Sequence, residues 1–450
     1  MTSDDALPQF CGMQDLSSYP NGPARSCRSC VVVEKRTTHI VPSSVFSYIV
    51  FAVSQPPSGA SALPPGQWVP VPDTTGPAGV PRALRREGAY LPPPLPSDLV
   101  LPPATYRVCA EAEHALGRLD EAVRRSERGP GLVRATRIRD AVASAGMSGT
   151  ATTLREAFAA ELLSARGAPR RDALGRDLEP YLRAYELGLA RVRAGAPADT
   201  ALVGEMSACM TGRDERGAED ALRRAPGWLG VTPRRAYLLT ATGAHLVGAL
   251  EQWNTWVREE DAQPRVAKAA LAHYQLEVLQ PFPTANGHVA RAFTAVELVR
   301  CGLLHDQVLP LSVWLPGALP EYQRRIRAVV DTRLVHPWVE FYAGVIRDQA
   351  LAQLNLVAAL EALAAEHARL LPLKGTRPRV AVDLIDWPVV DHQAICDRYG
   401  VTRRAASGYT AELVRKKILV QWKLKGHRSL FVCWKVLRLL SRNPATSAMP

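Results

Sequence analysis

The chain has 450 residues, 47% hydrophobic and 22% charged, with 55 Lys and Arg against 43 Asp and Glu for a net charge of +12. That is an ordinary soluble composition, long enough for two or three domains and a well-buried core. The apolar run Val45–Val53 is too short to cross a bilayer, and the acidic, polar first residues do not form a secretory signal. Eight thinly spread cysteines suit a reducing compartment. A cytoplasmic protein with no membrane partner is expected.

Residues 1–84 are rich in Pro, Ser and Gly and have no helical period, and half of the 36 prolines precede Ala104. This stretch is predicted to be a disordered or low-complexity leader. Cys27-x-x-Cys30, near Cys11 and His39, has irregular spacing, so no metal site is assigned. From Gly88 a proline-rich strap, G-A-Y-L-P-P-P-L-P-S-D-L-V-L, leads into the helical pattern A-E-A-E-H-A-L-G-R-L-D. Helices are predicted over about Val133–Ala145, Thr153–Ser164, Leu178–Ala194 and Asp199–Thr211. Ala236–Thr242 reads as a strand, and Leu246–Val257 as a helix.

The centre of the chain is a helix, a tight loop and a second helix. Pro264 starts the first, where a missing N–H costs nothing, and the helix runs to about Leu279. The loop is Gln280 to Ala285. The second helix starts at Asn286-Gly287 and keeps Ala292, Val296, Val299 and Leu303 on one face. A loop ending at a helix N-terminus offers unpaired N–H groups to a phosphate, and Arg291 adds a bidentate donor. Beyond it, Trp314–Val330 and Trp338–Leu371 read as helices, the latter with Leu356, Leu360, Leu363 and Leu370 at helical spacing. Lys374–Pro378 reads as a linker.

From Val401 to Pro450 eleven Lys and Arg face a single acid, Glu412, so this end holds +10 of the net charge. Asp391 is placed to cap a short helix ending at Tyr399, Gly400 to make a turn, and Thr402 to cap a second helix reaching Lys416. Ile418–Trp422 and Leu430–Trp434 alternate as two strands around a basic turn. Helix, turn, helix and basic hairpin together read as a winged helix-turn-helix. Arg403, Arg404, Ser407 and Tyr409 fall on its recognition helix, and Lys423, Lys425 and Arg428 on its wing. These positions and the concentrated charge point to double-stranded DNA as a partner.

The segment Gln280-Pro281-Phe282-Pro283-Thr284-Ala285-Asn286-Gly287-His288-Val289-Ala290-Arg291 resembles the H-P-F-x-[D/E]-G-N-G-R-x-x-R motif of the Fic (Fido) family. Pro281, Phe282, Asn286, Gly287 and Arg291 match. The lead-in A-L-A-H-Y-Q-L-E and the exit from Cys301-Gly302 through Leu311-Ser312 are also similar, and the likeness runs from about Gly88 to Trp434. It implies a mainly α protein: a Fic-associated N-terminal segment over 85–175, a Fic core with a small β-hairpin over 176–371, and the winged-helix domain over 378–442. It further implies ATP and Mg²⁺ as cofactors, transfer of AMP to a Ser, Thr or Tyr hydroxyl, and a protein target held by edge pairing at the 236–242 hairpin.

The departures from the motif carry as much information. Gln280 stands at the catalytic histidine, and a neutral amide is no general base. Thr284 replaces the acid that helps hold Mg²⁺, leaving a weak metal contact at best. Ala285 replaces a glycine, and His288 replaces the first arginine. The remaining nucleotide-site positions are Thr284, Ala285, Asn286, Gly287, His288 and Arg291. The family's inhibitory motif, [S/T]-x-x-x-E-[G/N], is similar to Ser144 through Gly149, but Ser148 replaces its glutamate and the ionic brake is lost. Loss of a base costs on the order of a hundred- to ten-thousand-fold in rate. The expected protein is therefore a pseudoenzyme that retains weak nucleotide or phosphate binding and acts as a DNA-binding regulator. The alternative is an active protein adenylyltransferase with a non-standard base, for which His288 is the candidate; His273, two turns before Gln280, is expected in the core.

Overall fold

A computed structural model describes residues 62–71, 77–164, 178–212, 222–372, 375–423 and 429–442. The folded part begins earlier than the sequence suggests. Within the stretch read as a leader, β1 (Gln67–Val69) and α1 (Arg82–Glu87) are formed. β1 pairs antiparallel with β2 (Ala89–Leu91), so backbone pairing, which composition does not report, fixes this proline-rich strap. The leader positions before Ala62 lie outside the described residues.

α2 (Pro103–Arg125) opens on a proline and buries Cys109, Ala112, Leu116, Leu119 and Val123 at helical spacing. α3 (Gly129–Gly146), α4 (Leu154–Ser164), α5 (Glu179–Arg193) and α6 (Thr200–Thr211) follow close to their predicted bounds. Asp199 caps α6 by accepting from the N–H groups of Ala201 and Leu202. β3 (Gly227–Gly230) and β4 (Ala236–Thr240) form the expected hairpin. At its bend Gly230 has φ +144°, and a β-carbon there would come within 2.4 Å of the Arg235 carbonyl oxygen, so only glycine fits.

The sheet order is β1-β2-β4-β3, with β2 parallel to β4. β3 is the outer strand of this sheet, so the strap meets the hairpin on its β4 side alone. Leu239 and Thr240 are paired by β3 on one side and by Ala89 and Tyr90 of β2 on the other, so the hairpin's second edge is taken there by this chain's own strap.

α7 (Ala244–Arg258), α8 (Arg265–Leu279), α9 (Asn286–Arg300), α10 (Leu311–Thr332) and the 34-residue α11 (His336–Arg369) build the core. Every residue of α8 from Ala269 to Leu279 is buried. Its small residues, among them Ala267, Ala270 and Ala272, let α9, α11 and α7 approach closely, with Trp253, Phe293 and Trp338 filling the space between. His273 lies in this core, fully buried. No helix among the described residues is long and apolar enough to cross a membrane.

The C-terminal part is α12 (Thr376–Asp383), β5 (Val389–Val390), α13 (His392–Tyr399), α14 (Arg403–Arg415), β6 (Val420–Trp422), β7 (Leu430–Val432) and α15 (Trp434–Leu440). α12 begins within the stretch read as a linker. The strands form an antiparallel sheet in the order β5-β7-β6. Asp391 accepts from the Ala394 N–H and Thr402 from the Ala405 N–H, capping α13 and α14, and Gly400 takes the left-handed turn between them at φ 62°. This part packs on α11 and on α3–α4: the Trp387 ring lies between the guanidinium groups of Arg134 and Arg398, 3.4 and 3.8 Å from their carbons. Arg155 covers the Trp422 ring, and Arg139 donates to the Leu440 carbonyl at 2.7 Å.

Candidate phosphate site at the α8–α9 loop

Two left-handed residues bracket the central loop. Gln280 ends α8 at φ 46° and Ala285 precedes α9 at φ 64°. Ala285 thus adopts the positive φ that favours the glycine of the resembled motif, at some strain for an alanine. Asn286 closes the loop on itself: its Oδ1 accepts from the Phe282 N–H at 2.8 Å, and its Nδ2 donates to the Phe282 carbonyl at 2.7 Å. The first N–H groups of α9 have no intrahelical acceptor and carry the positive end of the helix dipole.

Arg223 fixes the other side of the loop. Its backbone N–H donates to Pro281 O, and its guanidinium donates to the carbonyls of Leu279, Gln280, Ala225 and Ala241 and to the Thr240 hydroxyl. Burial lowers this group to about 10, so it remains charged near neutrality. It satisfies the C-terminal carbonyls of α8 and fastens the β3–β4 hairpin to the loop. Nothing periodic in the sequence marks it.

Gln280 turns away from base chemistry. Its Nε2 donates to the Glu277 carbonyl at 2.9 Å and reaches Glu277 Oε2 at 3.4 Å. Thr284 is exposed at the loop tip. Among the described residues no three His, Cys, Asp or Glu side chains form a metal-binding group. A lone neutral hydroxyl is a poor donor set for Mg²⁺, and the site as built does not fit that ion.

Beneath the loop lies a buried polar cluster. Arg291, 6% exposed, donates through Nη2 to His288 Nδ1 at 2.9 Å and to Ser144 Oγ at 3.0 Å, and through Nε to Ser312 Oγ at 3.2 Å. Because an arginine donates to it, Nδ1 of His288 is unprotonated. Ser144 Oγ lies 2.7 Å from the same nitrogen, and Nε2–H donates to Ser148 Oγ at 2.6 Å. Burial first, and then the Arg291 charge, lowers His288 to about 3. Ser148, at the inhibitory-motif position, therefore holds His288, while Ser144 holds both basic-face residues. As a candidate base His288 is disfavoured by this geometry, since both ring nitrogens are engaged and its proton affinity is low.

Glu277, which the sequence reading passed over, is 6% exposed. A β-carbon on Gly287 would lie 3.1 Å from its Oε1 and 3.2 Å from Arg291 Nη1, so both side chains lie close against the first turn of α9. Burial raises the Glu277 carboxyl, opposed by the Arg291 charge and a Tyr322 hydrogen bond. Tyr322 also bonds His273 Nε2 at 2.8 Å; His273 Nδ1 donates to Ala290 O, and burial lowers this imidazole to about 3. The one acid of α8, three residues before the loop, was the available signal for Glu277.

The basic end divides more simply. Arg403, Arg404 and Ser407 are exposed on α14, while Tyr409 is half-buried with Arg377 5.6 Å from its ring. Lys423 is exposed at the end of β6; Lys425 and Arg428 lie outside the described residues.

Two family models match this chain. The Fic/DOC family N-terminal model matches residues 106–190, and the Fic/DOC family model matches residues 208–298, which contain the whole loop. Among solved structures, a Fic family protein from Desulfovibrio desulfuricans G20 is similar at 14% identity and TM-score 0.46, over 74% of this chain and 97% of that one. A Fic domain containing signaling protein from Bacteroides thetaiotaomicron VPI-5482 is similar at 15% identity and TM-score 0.40, over 56% and 96%. Fic-1 from C. elegans is similar at 16% identity and TM-score 0.39, over 56% and 74%. The two consecutive family matches, with the asparagine-closed loop and its buried arginine inside the second, make this chain a Fic-domain protein.

Proposed function

We propose that this Fic-domain protein binds a phosphate-bearing ligand at the α8–α9 loop without carrying out standard AMP transfer, and that its C-terminal module is a winged helix-turn-helix that binds DNA. Fic-domain proteins generally transfer a nucleoside monophosphate to proteins. The observation that carries our reading is the state of the motif side chains. The amide of Gln280 donates to Glu277 where a base is needed, and the imidazole of His288 is held by two serines and Arg291. What remains is the dipole end of α9 and a buried guanidinium, which bind anions but do not activate a hydroxyl.

The DNA reading is supported by the exposed face of α14. Arg403, Arg404 and Ser407 are exposed on its first two turns. Basic side chains on the second helix of a helix-turn-helix are suited to the major groove. Transfer from α-labelled ATP, with Mg²⁺ and then Mn²⁺, onto the protein itself and onto a lysate tests the first half. We expect none from the wild type, and clear labelling would overturn it. Retention on duplex DNA with steep salt dependence tests the second; its absence at low salt removes that half.

A further inference from the structure

We infer that a pocket between α6, α7 and the α8–α9 loop is a second binding site, and that it takes a small aromatic amine. The inference goes beyond the anion site, because the pocket shares no residue with the cluster around Arg291. α7 carries Val247, Leu250, Glu251 and Asn254 at i, i+3, i+4 and i+7, which is one face of a helix. That face meets Val203 of α6, Leu276 of α8, and Pro281 and Phe282 of the loop around a pocket of about 130 Å³. Val203, Leu250, Leu276, Pro281 and Phe282 are buried, so the floor is apolar. The volume suits one six-membered ring, since an apolar cavity of about 150 Å³ holds benzene.

The mouth is polar and acidic. Asn254 Oδ1 accepts from the Thr200 N–H at 3.1 Å and from its hydroxyl at 3.2 Å, which fixes the carboxamide. The Asn254 NH₂ has no acceptor among the described residues and is a donor for a ring face or a ring hydroxyl. Glu251 is exposed, and among the described residues its carboxylate has neither an ion pair nor a hydrogen bond. Val247, 39% exposed, adds an uncovered apolar edge. A ring fills the floor, and a carboxylate at the mouth attracts a cation on a short tail and repels an anion there. Phe282 ties the pocket to the loop. Its N–H and carbonyl are the groups that Asn286 holds, so a guest packs on the residue that closes the turn into α9.

The test follows the amide spectrum of the full ¹⁵N-labelled chain with 2-phenylethylamine, and with 2-phenylethanol, phenylacetate and butylamine beside it. We expect the aromatic amine to bind with a Kd on the order of 1 mM, shifting Leu250, Asn254 and Phe282. The alcohol should bind about threefold or more weakly, and phenylacetate and butylamine should give no saturable shifts. Glu251→Gln, at an exposed position, should bring the amine to the alcohol's affinity. Leu250→Phe fills the pocket and should abolish binding of both. Equal affinity for amine, alcohol and phenylacetate overturns the inference, as do saturable shifts that persist in Leu250→Phe or lie outside the pocket. No shift with any ring compound at about 10 mM overturns it too, and leaves the phosphate reading untouched. If Leu250→Phe does not fold, the wild-type series and Glu251→Gln decide.

Discussion

Two helices of this chain, α9 and α14, present basic side chains near their N-termini, and their surroundings differ in every other respect. At α9 the arginine is buried, its partners are serines and an unprotonated imidazole, and carboxyls stand behind it. At α14 the arginines are exposed, and the first-turn N–H group of Ala405 is satisfied by Thr402. The difference shows what burial does with a charge. A buried guanidinium is matched to one ligand's charge and shape, whereas exposed ones act together on a polyanion and lose strength in salt. The frame of the first region is held by the side chains of Arg223 and Asn286, which hydrogen-bond to the loop's backbone.

The comparison can be broken first at Arg223. Replacing it with alanine leaves the carbonyls of Leu279, Gln280, Ala225 and Ala241 without their donor in a buried setting. We expect a loss of about 3 kcal/mol in denaturant unfolding, with C-terminal DNA retention unchanged in whatever remains folded. A loss below about 0.5 kcal/mol would show that the loop is held by something else. The reciprocal test is Arg403→Glu with Arg404→Glu. DNA affinity should fall on the order of a hundredfold, with a shallower salt slope, while AMP binding is unaffected.

Acidification separates the regions next. His288 and His273 are both lowered to about 3, well under their ordinary value near 6.5. The unfolded chain takes up protons that the folded chain refuses, so the stability they contribute is present above about 6.5 and is lost as pH falls toward 3. Each contributes about 1.4 kcal/mol per pH unit in that window. His288→Asn should remove about half of this two-histidine slope when unfolding is followed from pH 7 to 5; an unchanged slope would mean the imidazole titrates freely. Glu277 behaves oppositely. Its carboxyl is raised, so its contribution is present at low pH and lost as pH rises above its ordinary range. The smallest effect lies at the α13 cap, where Asp391→Ala should cost about 1 kcal/mol and weaken DNA retention without touching the α8–α9 site.

What the sequence made legible follows from how local each feature is. Pro264, Asn286-Gly287, Asp391, Gly400 and Thr402 mark helix ends through their own backbone preferences, and all of those ends are found. The pairings that define the site are not local. Ser144 and Ser148 meet His288 across more than 130 residues, and Arg223 reaches Gln280 across 57. The three-residue strands β1 and β2 were hidden for the same reason: β2 is placed by pairing with the distant β4 and β1 by pairing with β2, not by any alternation of their own. Composition likewise placed the leader's end at residue 84, because a strap held by backbone hydrogen bonds has the same proline content as a free one.

The most direct test of the account is the amide spectrum of ¹⁵N-labelled protein titrated with AMP. The account predicts shifts centred on Asn286, Gly287 and His288 and on the Arg291 side-chain N–H, with α14 unmoved. Shifts centred on α14, or none in α9 while binding saturates, would contradict it.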